Sequence, residues 1–344
     1  LGIYDKIEEK IGVSEKVNKN KFLIYNGLNR KEQAILELNK LITSYPLKRR
    51  YYQELINIYK VQEKEEKVEE VYHLALERLQ GNMIMLDSYA HYVFLKKDMD
   101  TAFVMHQQVL ADPGYPTKDK LDIINLYKKY ERIDNTMSDK SSALMDLMVE
   151  IHPTDFEVNK YMGEMYFRSD EYKKSRKHFR IALDSKKNSF GTWQQLVMTD
   201  HRLEDYQQML IDAEEGISYF PAQSQLYYYA GLAHVQLDHS DKAIPFFTEG
   251  LEMCSADRQR VTFLSALGDA FHTVGNHTRS DESFDSALSM DSTNTMILNN
   301  YAYYLSLRNI RLERAEKMSS LSNVLAPGTA SYNDTYGWIL YQMG

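Results

Sequence analysis

The chain has 344 residues, of which 43% are hydrophobic and 26% charged, with 15 Gly, 7 Pro, 26 Tyr and a single Cys. So few turn formers exclude a β-sandwich or loop-rich fold, which needs them every ~8–12 positions, and a formal net charge of −8 argues against a nucleic-acid backbone as partner. The lone Cys254 excludes an intrachain disulfide and any multi-cysteine metal site, and no apolar run approaches the ~18–20 residues that cross a bilayer.

In chain order, residues 3–13 read as the second helix of a helical pair whose first helix precedes the sequence. From there two-helix units recur, beginning near residues 15, 49, 83, 118, 156, 190, 224, 261 and 295. The second unit carries Tyr52, Ile56, Tyr59, Val68, Tyr72 and Ala75-Leu76. The third carries Tyr89-Ala90, Val93, Ala102, His106 and Val109-Leu110. The fourth matches poorly, with an insertion near 131–139. The fifth and eighth align best. Met162-Gly163 pairs with Leu267-Gly268, Tyr166 with Phe271, Ser175 with Ser280, Phe179 with Phe284, and Ala182-Leu183 with Ala287-Leu288. The offset is 105 throughout, close to three periods of ~34 residues. The wider spacing before 261 predicts a loop near Ser255–Gln259, and the ninth unit has one extra turn residue within 308–316. Residues 330–344 read as the first helix of an incomplete tenth unit. Both ends look cut, so a fragment of a longer protein is expected. Trp338, Leu340 and Tyr341 should then be partly uncovered, an apolar patch able to make a dimer contact.

Each unit places apolar residues at i, i+3, i+4 and i+7 on two helices. Small residues (Ala90, Gly163, Gly231, Gly268, Ala302) let helix axes approach to ~8–10 Å, and Ala or Ser opening the second helix does the same from the other side. Neither helix buries its stripe alone, so each unit needs its neighbours. Charge is uneven: residues 1–80 hold 15 Lys/Arg against 13 Asp/Glu, leaving 26 against 36 for residues 81–344. A basic segment of another protein would be drawn to the acidic part; solvated helix faces explain it equally well.

This pattern resembles the tetratricopeptide repeat family over essentially the whole chain: a large residue, a Leu-Gly or Leu-Ala pair, an aromatic three later, then Ala or Ser, an aromatic, Ala-Leu, and Pro at the close. Val68 and Met209 depart from the small residue opening the second helix, and only Pro46, Pro153, Pro221 and Pro327 close a unit. The resemblance implies an all-α solenoid, a right-handed superhelix of nine repeats over 15–329. Residues 1–14 and 330–344 are then halves of truncated repeats. In that family the first helices line a concave face that receives a peptide or partner helix. Transferring the frame gives a groove of Arg50, Gln53, Asn57, Lys60, Lys160, Gln194, Met198, His201, Tyr228, Leu232, Asp269, His272, Asn299, Tyr303 and Trp338. The basic, amide-rich stretch 50–60 would grip a carboxylate or extended backbone. The family's Lys/Asn/Arg carboxylate clamp is not reproduced, because Lys160 has Glu164 one turn on. Asn300-Tyr301-Ala302-Tyr303 and Asp334-Thr335-Tyr336-Gly337-Trp338 resemble a bacterial subtype frequent in envelope proteins, in a composition similar to that of Bacteroidetes. This implies a periplasmic or lipid-anchored lipoprotein, with the cytoplasm as alternative.

Nothing in the sequence carries recognisable catalytic chemistry. No H-E-x-x-H helix or Gly-rich phosphate loop occurs, and Cys254 lacks the surroundings of a nucleophile. His201 and His272, on the inner face, read as polar surface residues rather than ligands. Asn276-His277-Thr278 and Asn333-Asp334-Thr335 match the glycosylation sequon, which matters only in a eukaryotic secretory context. The expectation is a non-catalytic scaffold for a protein or peptide partner, without cofactor, metal or nucleic acid. The alternatives are a self-associating spacer and an accessory domain of a larger envelope protein.

Overall fold

In the computed structural model, which describes residues 1–344, the chain forms twenty α-helices and no strand. It divides into two units, Leu1–Pro153 and Thr154–Gly344. The first unit contains α1 (Gly2–Ile11) and the pairs α2/α3 (Glu15–Gly27, Lys31–Ser44), α4/α5 (Arg49–Val61, Glu65–Arg78), α6/α7 (Met83–Leu95, Met99–Ala111) and α8/α9 (Thr117–Tyr130, Thr136–Ile151). The second contains α10/α11 (Phe156–Arg168, Tyr172–Ser185), α12/α13 (Phe190–Arg202, Tyr206–Tyr219) and α14/α15 (Ser224–Gln236, Ser240–Glu252). It continues with α16/α17 (Asp257–Thr273, His277–Met290), α18/α19 (Thr295–Leu307, Leu312–Leu325) and α20 (Ala330–Met343). Each unit is all-α and built of repeated helical hairpins of the tetratricopeptide type.

Three local devices recur. The first is a close approach of helix to ring. A Cβ placed on Gly163, Gly231 or Gly268 would lie 2.6, 2.4 or 2.7 Å from the ring of Phe179, Phe247 or Phe284, sixteen residues on. The hydroxyls of Ser175 and Ser280 donate to the carbonyls of Gly163 and Gly268, each at 2.8 Å. A small polar residue opening the second helix thus ties it to the first.

The second device concerns the large residue near the start of a first helix. Tyr52 and Tyr227 donate their hydroxyls to the carbonyls of Pro46 and Pro221, at 2.8 and 3.1 Å. The indole N–H of Trp193 donates to the carbonyl of Lys187 at 2.8 Å. In each case the body of the ring fills the core while its polar tip satisfies a connection carbonyl six residues back, which is why Tyr and Trp suit the position.

The third is the turn inside the hairpin. In seven hairpins it has three residues, the middle one with positive φ: Asn29, Glu63, Lys97, Asp170, Glu204, Asp238 and Gly275. The next N–H then reaches the carbonyl five residues back, as Arg30 N does to Tyr25 O at 2.8 Å and His239 N to His234 O at 2.8 Å. This is a Schellman closure. Only Gly275 is glycine, so the remaining turns adopt the left-handed conformation for the sake of that bond. The α18/α19 turn has four residues, Arg308 to Arg311, with positive φ at Asn309 and Arg311.

Two expected loops are different in the structure. The extra residues before 261 are an added helical turn, since α16 starts at Asp257 and has 17 residues. Only the stretch between Glu252 and Asp257 is left to connect the helices. The fourth-repeat insertion is a five-residue turn, 131–135, and part of it prolongs α9 to 16 residues. Extra residues extend a helix where each one adds an i→i−4 bond.

In the second unit, first helices pack directly on first helices: α10 on α12, α12 on α14, α16 on α18, and α18 on α20. No second helix makes a comparable contact with the next second helix. The first helices are therefore the inner layer of this unit. The gap in their series is between α14 and α16.

One buried pair in this unit is charged. Asp200 of α12 and Asp212 of α13 are both fully buried. Arg176 reaches Asp200 at 3.4 Å and Asp205 at 2.6 Å, and Arg180 pairs with Asp212. Burial raises both carboxyls, and for Asp200 the adjoining Asp212 adds to the rise. The folded state therefore holds a proton that the unfolded chain releases. With more protons bound in the folded state, stability falls as pH rises through this window. Between about pH 5 and about pH 8 the α12/α13 hairpin is expected to lose at most ~1.4 kcal/mol per pH unit per proton. Asp200→Asn, which imitates the protonated form, should flatten that slope in chemical denaturation. An equal slope in the variant would place the proton elsewhere.

Candidate peptide-binding face

Residues four apart on a helix share a face, so Gln194 and Met198 of α12, Tyr228 and Leu232 of α14, and Asn299 and Tyr303 of α18 form stripes on the inner layer. The opposite stripes enter the hairpin cores, where Trp193, Leu196, Leu226, Ala230, Leu298 and Ala302 are buried. Between α14 and α16, where α16 starts a turn early and the first helices make no comparable contact, a trough opens.

The trough consists of two adjoining cavities. One, of about 160 Å³, is lined by Gln194, Gln225, Tyr228, Tyr229, Gln259 and Phe263. The other, of about 250 Å³, is lined by Tyr228, Leu232, Phe247, Ser265, Asp269 and Met296 among others. Tyr228 and Thr262 belong to both. Tyr228 rests edge-on against Phe263, ring centres 5.6 Å apart, and burial raises its hydroxyl pKa. Asp269 accepts a hydrogen bond from Tyr304 at 3.0 Å. Burial lifts its carboxyl to about 6 against the opposing bonds from Tyr304 and Asn300. The Tyr304 ring in turn stacks on His272, centres 3.7 Å apart. Ser265 Oγ, His272 Nδ1 and Asn299 Oδ1 are buried without a hydrogen-bond partner.

Of the residues expected in a groove, Gln194, Tyr228, Leu232 and Asp269 meet in this trough. Met198, His201 and His272 are half-buried on the same layer, with His201 near Tyr206 and Tyr229 at 6.3 and 6.4 Å. Asn299 is buried rather than open, at 8% exposure, because α16 and α20 both pack on α18. Tyr303 and Trp338 are exposed, and Lys160 on α10 is half-buried. The stretch 50–60 belongs to the first unit and its polar groups have partners. Arg50 is 3.7 Å from Glu54, Gln53 donates to Asn57 at 3.5 Å, and Lys60 donates to Tyr72 at 3.1 Å and sits over the Tyr92 ring. Lys60 is thus engaged with aromatic neighbours instead of standing free for a carboxylate. Cys254 is buried, its thiol directed to the carbonyl of Gly250 at 3.3 Å. Gln225, Tyr229, Gln259, Thr262 and Phe263 escaped the repeat frame. Starting the eighth unit at 261 left out the turn of α16 that carries Gln259.

No protein-family model matches the chain, and no curated protein does. Among solved structures, the Pseudomonas aeruginosa pilF protein is 16% identical, covering 62% of this chain and 95% of its own, with a TM-score of 0.47. YrrB, described as a TPR protein with an unusual peptide-binding site, is 13% identical over 56% of this chain and 97% of its own, with a TM-score of 0.46. MamA is 15% identical over 47% and 92%, with a TM-score of 0.42. No helix is long and apolar enough to cross a membrane.

Proposed function

We propose that this chain, a tetratricopeptide-type helical repeat by fold, is a non-catalytic scaffold that holds an extended segment of another protein along the first-helix face of its second unit. The observation that carries the reading is the trough between α14 and α16, with Tyr228 dividing its two cavities and Ser265 Oγ buried without a partner beside it. An extended peptide offers a backbone donor or acceptor at every residue and a side chain at every second one. Gln194, Gln225 and Gln259 supply amides for the former, and the cavities on either side of Tyr228 accept the latter. Buried aromatic anchors of this kind dominate binding energy, typically by about 2 kcal/mol or more each.

Peptides selected from a displayed random library against the intact chain should lose about 30-fold or more in affinity with Tyr228→Ala, as an anchor of that size requires. Gln194→Ala should lower it further. Trp338→Ala, remote from the trough, should leave affinity unchanged. Affinity undiminished by Tyr228→Ala would overturn the trough assignment. Concentration-dependent growth in light scattering that Trp338→Ala abolishes would favour a self-associating spacer, built on the exposed Trp338, Leu340 and Tyr341.

A further inference from the structure

The first unit has an opening of its own, with different chemistry. Here a second helix packs on the next second helix, α7 on α9, while α6 and α8 make no comparable contact. The two first helices part, and a cavity of about 570 Å³ lies between them, a size within the ~300–1,000 Å³ of ligand pockets. Asp87 from α6, His106 from α7, Tyr115 from the connection, and Asp119 and Asp122 from α8 line it, with His91 and Lys129 also in its wall. Three carboxylates thus face one lysine.

The floor is incompletely satisfied. His106 is fully buried. Its Nδ1 is hydrogen-bonded with the Tyr127 hydroxyl at 2.9 Å, and its Nε2 has no partner. Asp87 accepts from the Tyr115 hydroxyl through Oδ2 at 2.8 Å, and its Oδ1 lies 3.7 Å from His106 Nε2, beyond hydrogen-bond reach. Burial lowers the His106 pKa to about 4, so the imidazole is neutral and supplies no counter-charge. Burial, with Asp119 adding to it, raises the Asp87 carboxyl against the bond from Tyr115. A buried polar atom without a partner is uncommon in folded proteins, and this one borders an open cavity walled by acids. No three of these groups are placed to hold a metal ion.

We propose that this cavity is a receptor site for a guanidinium group. In the tautomer whose Nδ1–H donates to the Tyr127 hydroxyl, Nε2 of the neutral imidazole is a lone-pair acceptor beside the free oxygen of Asp87, and the proposal is for that tautomer. Two acceptors side by side suit the planar fork of a guanidinium, which donates through several N–H groups in fixed directions. Asp119 and Asp122 supply further charge. An ammonium is a more strongly hydrated point charge and gains less from this arrangement. The site is independent of the trough in the second unit, so either can fail without the other.

Calorimetric titration of the full chain should compare agmatine, an N-acetylated and C-amidated Ala-Arg-Ala peptide, and the matching Ala-Lys-Ala peptide. Both guanidinium probes should bind saturably and more tightly than the lysine peptide. Asp87→Asn, which keeps an acceptor for Tyr115, should weaken them by about 10-fold or more, the loss expected of one charge-assisted hydrogen bond. Asp119→Asn on the exposed face of α8 should weaken them about 3-fold, the share of a rim charge, without affecting folding. Tighter binding of the arginine peptide would identify an arginine of a partner protein as the source, and tighter binding of agmatine a free guanidino compound. The proposal is overturned by no saturation with either guanidinium probe up to about 10 mM, a range that covers binding of only ~3 kcal/mol. Equal affinity for the lysine peptide, or unchanged affinity in Asp87→Asn, would overturn it too.

Discussion

Lys21→Ala is expected to cost the first unit about 3–5 kcal/mol, the range for removing one partner from a buried ionic cluster. Lys21 of α2 is 4% exposed. Its ammonium lies 2.7 Å from Asp5 and 2.6 Å from Glu8, both on α1, and 3.1 Å from Glu37 on α3. The Asn18 amide donates to Glu8 at 2.9 Å and to Glu37 at 2.7 Å. Three helices are thus joined through one buried cation. Without it, the only cation Glu8 and Glu37 would share is the more exposed Lys40, 2.7 and 3.2 Å away. Burial raises the Glu8 carboxyl, but the bonds from Lys21, Lys40 and Asn18 outweigh it and leave the pKa at about 2. A carboxyl lowered by folding contributes stability above its ordinary value of 4.5 and loses it as pH falls toward 2. The deficit of Lys21→Ala should therefore be full near pH 7 and shrink below about pH 4.5. Lys21→Met, which retains the aliphatic stem, should be nearly as damaging if charge is the cause. A cost below about 1 kcal/mol at neutral pH would show that α1 is held by packing alone, since that is the worth of an ordinary surface pair. Hydrogen exchange should locate the loss in α1 to α3.

Gly231→Ala should destabilise the second unit by about 1–2 kcal/mol, opposite in sign to the usual effect. In an open helix the change gains up to ~1 kcal/mol from propensity. At Gly231 the added methyl would lie 2.4 Å from the Phe247 ring. That ring is hemmed in by Tyr228 and Phe263, with centres at 6.0 and 6.3 Å. Overpacking of this kind costs about 1–3 kcal/mol and should exceed the propensity gain. Gly337 of α20 has nothing within 4 Å of the corresponding position, so Gly337→Ala should be stabilising by up to ~1 kcal/mol. Gly231→Ala combined with Phe247→Leu should recover part of the loss. Because Phe247 also lines the trough, the single variant should weaken peptide binding as well. A neutral Gly231→Ala in thermal unfolding would mean that the two helices can move apart freely.

What could be read from residues alone is what repeats within one period. The Gly163/Phe179, Gly231/Phe247 and Gly268/Phe284 pairs lie sixteen residues apart, and Ser175 and Ser280 lie twelve from the carbonyls they bind. Such contacts close inside a hairpin, so spacing suffices to find them. The Schellman turns were less visible, since Glu63, Lys97 and Glu204 are poor signals for a positive φ; the closing hydrogen bond outweighs side-chain preference there. The repeat frame puts Gln194, Tyr228, Leu232 and Asp269, which line the trough, on one helix face, because that face follows from helical periodicity.

The angle between one hairpin and the next was decided by tertiary packing, and the openings depend on it. α7 packs on α9 where α6 and α8 stand apart, and α16 carries an added turn where it stands apart from α14. Neither separation is encoded in a single helix's pattern of apolar residues, because each depends on how the neighbouring helices pack. Burial of Asp200 with Asp212, the orphaned nitrogen of His106 and the covering of Asn299 have the same origin. Periodicity determines which side of a helix faces inward; how far that side is covered depends on the packing of its neighbours.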